Sequence, residues 1–231
     1  MRAKLTLIAG ILSGMALLAA CGGALYWLLM PERFPVSRVV LKGELKNTSS
    51  AQIEAAMPRV AGNGAANFFA VNIDEVRSSV ERLPWVRRVA VRRVWPDGLE
   101  VTVEEHVALA RWGDEALVNV QGERFVAKTS DALPLFVGPG GTSAEVTRRY
   151  RRFTEILSPL NMGVERVMLS PRHAWQLRLG NGLHLMLGRD ADLAEARLKK
   201  FVEVYPKLKP RDYVDLRYSN GFALRVPDWN G

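Results

Sequence analysis

The sequence predicts a single N-terminal transmembrane helix followed by an α+β exported region, in which a β-α-α-β-β module precedes a second, mixed α/β domain with an antiparallel sheet. Three observations carry this reading: an uncharged apolar run over residues 5–29, a strand-helix-helix-strand-strand pattern over 34–107, and a strand-rich stretch over 108–228 interrupted by two helices.

Within 5–29 nothing is more polar than Thr6 and Ser13. As a helix the run would be roughly 37 Å long at about 1.5 Å per residue, enough to cross the hydrocarbon of a bilayer with some tilt. Arg2 and Lys4 lie in the short segment 1–4 ahead of it, and Pro31, Glu32, Arg33 and Phe34 follow. Positive charge is retained in the cytoplasm, so the N-terminus is expected inside and roughly 200 residues outside. A rival pattern lies in the same stretch, because Leu18-Ala19-Ala20-Cys21 resembles the box at which bacterial lipoproteins are cut and acylated. The residues after Cys21 stay apolar instead of becoming a polar tether, and Tyr26 and Trp27 fall where an interfacial aromatic belt is expected. These two features favour an intact anchor.

Lys and Arg number 32 against 24 Asp and Glu, a formal net charge of +8. Such a balance invites nucleic acid, but the arginines are spread along amphipathic strands and helices of an exported region. A solvated basic face near anionic lipid head groups fits better. The one cysteine is in the apolar run, so no disulfide framework is expected outside.

In the first module, residues 36–41 read as a β-branched strand ended by Lys42-Gly43. Ser49 with Gln52 forms a capping box before Ile53, Ala56, Met57 and Val60, the spacing of a short amphipathic helix that Gly62-Asn63-Gly64 ends. Asn72 with Glu75 repeats the signal before Ile73, Val76, Val80 and Leu83, and Pro84 stops this second helix. Residues 87–95 form a basic strand whose doubled arginines predict a bulge. After the turn Pro96-Asp97-Gly98, Leu99, Val101 and Val103 alternate with Glu100, Thr102 and Glu104, so Arg87, Arg88, Arg92 and Arg93 can pair with glutamates across a hairpin.

Beyond residue 108, residues 116–126 read as a hairpin about Gln121-Gly122. Thr142 with Glu145 is expected to cap a helix carrying Val146, Tyr150, Phe153 and Leu157 that ends at Pro159. Strands at 164–169 and 175–179 precede a hairpin about Asn181-Gly182, with Leu177 and Leu179 facing Leu183, Leu185 and Leu187. Ala194, Leu198, Phe201, Val202 and Tyr205 mark another helix, expected to close at Pro206. Residues 213–218 and 222–226 read as a last hairpin about Asn220-Gly221, before a tail at 229–231.

Catalytic chemistry is not legible. His106, His173 and His184 lack metal-ligand spacing, Glu104-Glu105 reads as a solvated face, and the glycine-rich loops lack a phosphate-binding context. Trp85, Trp95, Trp112 and Trp175 read as core or half-buried aromatics. No catalytic, metal or cofactor residue is expected.

The β-α-α-β-β order directly after an anchor resembles a POTRA domain. Phe34-Pro35-Val36, Val40-Leu41-Lys42-Gly43, Asn67-Phe68-Phe69, Leu83-Pro84-Trp85-Val86, Val94-Trp95-Pro96, Trp175-Gln176-Leu177, Leu187-Gly188-Arg189, residues 201–206 and residues 213–218, taken together and in order, resemble the FtsQ/DivIB family of bacterial cell-division proteins. The resemblance implies a non-enzymatic inner-membrane scaffold of the septum, with a POTRA domain linked to recruitment by other divisome proteins. It also implies binding of FtsB-like and FtsL-like single-pass coiled-coil proteins in the periplasm. Matched position by position, it points to Arg217, Tyr218, Ser219, Asn220, Gly221, Phe222, Ala223 and Leu224 as partner-binding, with Arg172 as a second basic contact.

The residues lead to the same place by another route. A last strand followed by a short tail is expected to be a sheet edge with unpaired backbone groups. Such an edge takes up a partner strand, and arginines beside it grip acidic side chains. Two rivals remain open: a POTRA-bearing lipoprotein or assembly factor that handles outer-membrane polypeptides, and an exported enzyme acting on peptidoglycan.

Overall fold

The computed structural model describes residues 2–28, 30, 34–57, 66–208, 212–218 and 221–224, with backbone alone for 2–9 and 208. Val60, the loop at 62–64, Ser219, Asn220 and residues 225–231 lie outside the described residues. The chain divides into two compact units, Met1–Glu105 and His106–Gly231, each with its own core.

The first unit begins with α1 (Arg2–Leu28), which runs unbroken through Cys21. Its segment Gly10–Leu28 is long and apolar enough to cross a membrane. Then come β1 (Arg38–Lys42), α2 (Ser50–Ala56), α3 (Ile73–Val80), β2 (Val86–Val94) and β3 (Gly98–Glu105). The sheet order is β1-β3-β2, with β1 parallel and β2 antiparallel to β3. Both helix starts follow from their caps. Ser49 and Gln52 close a reciprocal box, and the Asn72 side chain accepts from the amides of Asp74 and Glu75. Their apolar faces bring Ile53, Met57, Val76 and Val80 onto Val89, Leu99, Val101 and Val103, all buried.

Charges do more structural work here than alternation alone predicts. The β2–β3 register shifts between Val86 and Arg88, where a bulge was expected. Arg87 bonds Glu104 at 2.6 Å and Arg92 bonds Glu100 at 2.7 Å. Arg93 instead turns to the carbonyls of Phe68 and Val71, at 2.8 and 2.7 Å. Nor is Glu105 part of a solvated face, because its carboxylate accepts from the backbone amides of Lys46, Asn47 and Thr48. That set of donors outweighs desolvation and holds the carboxyl below its usual range. Trp95, expected in or near a core, is 81% exposed.

The second unit continues with β4 (Ala108–Trp112), β5 (Ala116–Asn119), β6 (Arg124–Phe125), β7 (Leu135–Val137), α4 (Ser143–Leu157) and a 3₁₀ turn at Ser158–Leu160. It is completed by β8 (Val164–Leu169), β9 (Trp175–Leu179), β10 (His184–Gly188), α5 (Ala191–Leu208), β11 (Tyr213–Asp215) and β12 (Ala223–Leu224). One sheet runs β12-β11-β10-β9-β8-β7-β4-β5-β6. It is antiparallel within its hairpins and parallel at three places: β7–β8 and β10–β11, where α4 and α5 cross over, and β4–β7, joined through the β5–β6 hairpin. The two helices lie side by side, joined by Arg149 and Glu195 at 2.5 Å. Phe153 and Leu157 of α4 and Ala194, Leu198 and Phe201 of α5 are buried in one core with Phe136, Val167, Trp175, Leu177 and Leu185.

Two expected helix ends differ. The Thr142 hydroxyl makes no cap bond and donates to the Pro139 carbonyl at 2.7 Å, because the residue has ψ near 4° instead of an extended backbone. Pro206 lies inside α5, which continues to Leu208. A proline in the last turn forfeits one intrahelical bond, and the helix tolerates it there.

Glu100 is only 11% exposed and lies between Arg92 and Lys42. The Arg92 hydrogen bond, with Lys42 second, lowers its pKa to about 2. Its contribution is therefore complete above the ordinary glutamate range near pH 4.3 and fades as pH falls toward the folded value. Arg92→Ala should raise the Glu100 midpoint measurably in an NMR titration of the carboxyl carbon. An unmoved midpoint would rule out the cross-strand arginine as the cause.

Candidate functional site

The end of the nine-stranded sheet is built by α5, β11 and β12. The crossover helix buries Ala194, Leu198 and Phe201, and this packing lays β11 parallel to β10 with His184 opposite Tyr213 and Met186 opposite Asp215. β12 pairs with β11 alone, Leu224 opposite Val214 and Ala223 opposite Asp215. In an antiparallel pair every second residue points its N–H and C=O away from the neighbouring strand. The outer side of β12 therefore presents backbone donors and acceptors with no further strand beyond them among the described residues.

The expected site residues do different things within this frame. Phe222 turns inward, its ring 6.3 Å from that of Phe201 at 85°, and Leu224 is likewise half-buried against the core. Ala223 and Gly221 are exposed, and Tyr218 is 58% exposed. Arg217 is already engaged: its amide, Nε and Nη2 all bond the buried Asp215 carboxylate, at 3.0, 2.9 and 2.6 Å. The Arg217 bonds outweigh desolvation and hold Asp215 below the usual carboxylate range, while the arginine is raised in turn. Burial first, and the Asp215 charge second, push the Tyr213 phenol up.

Arg172 is exposed in the β8–β9 turn, where His173 takes φ of 57° and donates its amide to Ser170. Trp175, at the start of β9, is opposite Gly188. Gly188 has φ of +90°, and a Cβ there would come 3.4 Å from Arg217 Cγ. The Arg172 turn and Arg217 thus share one end of the sheet.

Reading residues in order missed the helical wall of the site. Tyr218, Gly221 and Phe222 border a groove of about 780 Å³ whose other side is α5, with Leu193, Arg197, Lys200 and Val204. Those four recur at helical spacing, so a second stripe beside Ala194, Leu198 and Phe201 was visible in the sequence. It was hidden because it mixes apolar and basic residues.

Comparison with known proteins decides the family. Residues 34–106 match the model described as POTRA domain, FtsQ-type, and residues 110–217 match Cell division protein FtsQ/DivIB, C-terminal. Cell division protein FtsQ of Burkholderia pseudomallei is 38% identical over 233 residues, covering 96% of this chain and 92% of that one. The chain belongs to the FtsQ family. FtsQ of Nitrosospira multiformis is 45% identical over 79% of this chain and 78% of its own, and FtsQ of Escherichia coli 34% over 86% and 75%. A cell-division role follows, and neither FtsQ-type model description names an enzymatic activity. The C-terminal match stops at Arg217, just short of Tyr218 and β12.

Asp215→Asn keeps the shape and removes the charge that holds Arg217. At neutral pH it should cost on the order of 1–2 kcal/mol and speed amide exchange at Val214 and Leu216. Because the Asp215 pKa is lowered, its stabilisation is complete above about pH 4 and is lost as pH falls through the folded value, so wild type and variant should converge in acid. Equal neutral-pH stability and exchange would show the pair to be inert.

Proposed function

We propose that this FtsQ-family chain is a bitopic, non-enzymatic scaffold of the bacterial division septum. Its N-terminus lies in the cytoplasm, and its β12 edge in the periplasm takes up FtsB-like and FtsL-like single-pass coiled-coil proteins. The POTRA domain serves contacts with other divisome proteins, and the assembled complex helps to control septal peptidoglycan synthesis. The observation that carries the reading is the open two-residue strand Ala223–Leu224 beside a groove whose helical side mixes apolar Leu193 and Val204 with Arg197, Lys200 and Glu203. A partner strand added at β12 gains backbone hydrogen bonds, and its following helix or turn meets Arg197, Lys200 and Tyr218. Arg217 is pre-oriented by Asp215 and Arg172 is exposed, so both offer positive charge to acidic partner side chains. Ser219 and Asn220 belong to the same proposed contact by sequence.

Photo-crosslinking probes at Tyr218 and Ala223, with a control at the exposed Glu75 of α3, test this in cells. Adducts of the first two with a small single-pass coiled-coil protein are expected. Silence at both, or capture of unfolded outer-membrane polypeptides, would move the assembly-factor reading forward. Ala223→Pro removes a backbone donor from an exposed position and should abolish or sharply weaken co-purification of the partner while leaving the first unit folded.

A further inference from the structure

The sheet of the first unit has two unlike ends. Val94 and Arg38 both pair with Gly98, so the end of β2 and the starts of β1 and β3 lie together. That end also receives the chain from α1. Phe68 donates its amide to the Phe34 carbonyl at 2.7 Å, and Ser37 donates its amide to the Asp97 carbonyl at 2.9 Å.

Asn67, 3% exposed, ties this end to the anchor. Its Nδ2 donates to the carbonyls of Leu28 and Met30 at 2.9 and 2.8 Å, while its Oδ1 accepts from the amides of Phe69 and Ala70. One side chain thus holds the last turn of a membrane-spanning helix against the 67–70 turn. A run of edge-to-face rings follows the same path, Trp27 to Phe34 at 6.2 Å, Phe34 to Phe69 at 5.3 Å and Phe69 to Phe68 at 5.2 Å. Arg93 joins the 67–71 segment to the end of β2 through the Phe68 and Val71 carbonyls.

Two large rings are left outward on this end, Phe69 at 41% and Trp95 at 81% exposure, with Val94 at 43% between them in sequence terms. An exposed tryptophan on a tight turn is costly in water and favourable at the head-group level of a bilayer, where an apolar ring with one polar N–H is satisfied on both counts. Arg38, with a side chain 68% exposed, lies 3.5 Å from the Asp97 carboxylate in the 95–97 turn, an exposed pair weak enough for the guanidinium to exchange Asp97 for a phosphate.

We infer that this end of the POTRA domain is a lipid-contact surface. Phe69 and Trp95 enter the outer-leaflet interface of the bilayer that α1 spans, and Arg38 meets lipid phosphate. The domain then stands on the membrane by three points, the anchor and two rings, instead of swinging on a tether. The inference rests on α1 crossing the bilayer and is independent of what β12 binds.

The test uses the full chain in nanodiscs of phosphatidylethanolamine and phosphatidylglycerol. In a Cys21→Ser background, single cysteines at Phe69, Trp95 and Lys46 carry an environment-sensitive fluorophore, Lys46 marking the opposite end near Glu105. Nitroxide-labelled lipids should quench the labels at 69 and 95 at least about twofold and leave 46 unchanged, as insertion some 5–10 Å deep requires. Water exposure at 69 and 95 equal to that at 46 would overturn the proposal. So would shielding that arises only when a second membrane protein is reconstituted, which would assign the rings to a protein contact. Fluorotryptophan in the unsubstituted chain gives the same reading without an introduced cysteine. The Trp95 resonance, assigned by its loss in Trp95→Phe, should broaden with paramagnetic lipid while that of buried Trp175 does not.

Discussion

Three backbone pairs hold the outermost part of the second unit in place. His184, Leu185 and Met186 of β10 lie opposite Tyr213, Val214 and Asp215 of β11, and through them β12 is joined to the rest of the sheet. Parallel pairing of such short strands is weak by itself. It holds because α5 spans the crossover and presses Leu198 and Phe201 onto the sheet, while Val214 and Leu216 are fully buried beneath. Truncating a buried phenylalanine costs about 3–5 kcal/mol, several times what any surface ion pair contributes. Apolar packing by the helix, more than ladder hydrogen bonding, therefore keeps the sheet edge available.

Local signals with a short-range cause were legible. The Ser49–Gln52 box, the Asn72 cap, the bulge at the doubled arginines and the β9–β10 hairpin each depend on residues a few positions apart, and each forms as the sequence indicates. What escaped was decided at a distance. β7 is three residues long between Pro134 and Gly138, too short to show a period, and is a strand because β4 and β8 flank it. Thr142 has a capping sequence, but its backbone, with ψ near 4°, leaves the extended conformation a cap needs, and its hydroxyl donates to the Pro139 carbonyl. At the terminal edge, alternation located the strand, whereas the inward turn of Phe222 and the engagement of Arg217 by Asp215 depend on α5 and on strand spacing.

Charge is the other quantity that sequence order conceals. Glu105 gathers three amides of a loop some 58 positions away, Arg93 gathers carbonyls of the 68–71 segment, and Glu100 bridges two strands through Arg92 and Lys42. Which of the 32 Lys and Arg face a partner is therefore not legible from the net charge of +8. Basic groups outside these contacts, among them Arg172 and Lys200, remain exposed.

The place of β12 in chain order bears on biogenesis. It follows every other described element, and its neighbour β11 follows α5 in the chain. In a chain threaded through a membrane from its N-terminus, that edge emerges after the other described elements. A partner that recognises the edge would in that case bind finished molecules and pass over nascent or misfolded ones, so recruitment would double as a check on folding.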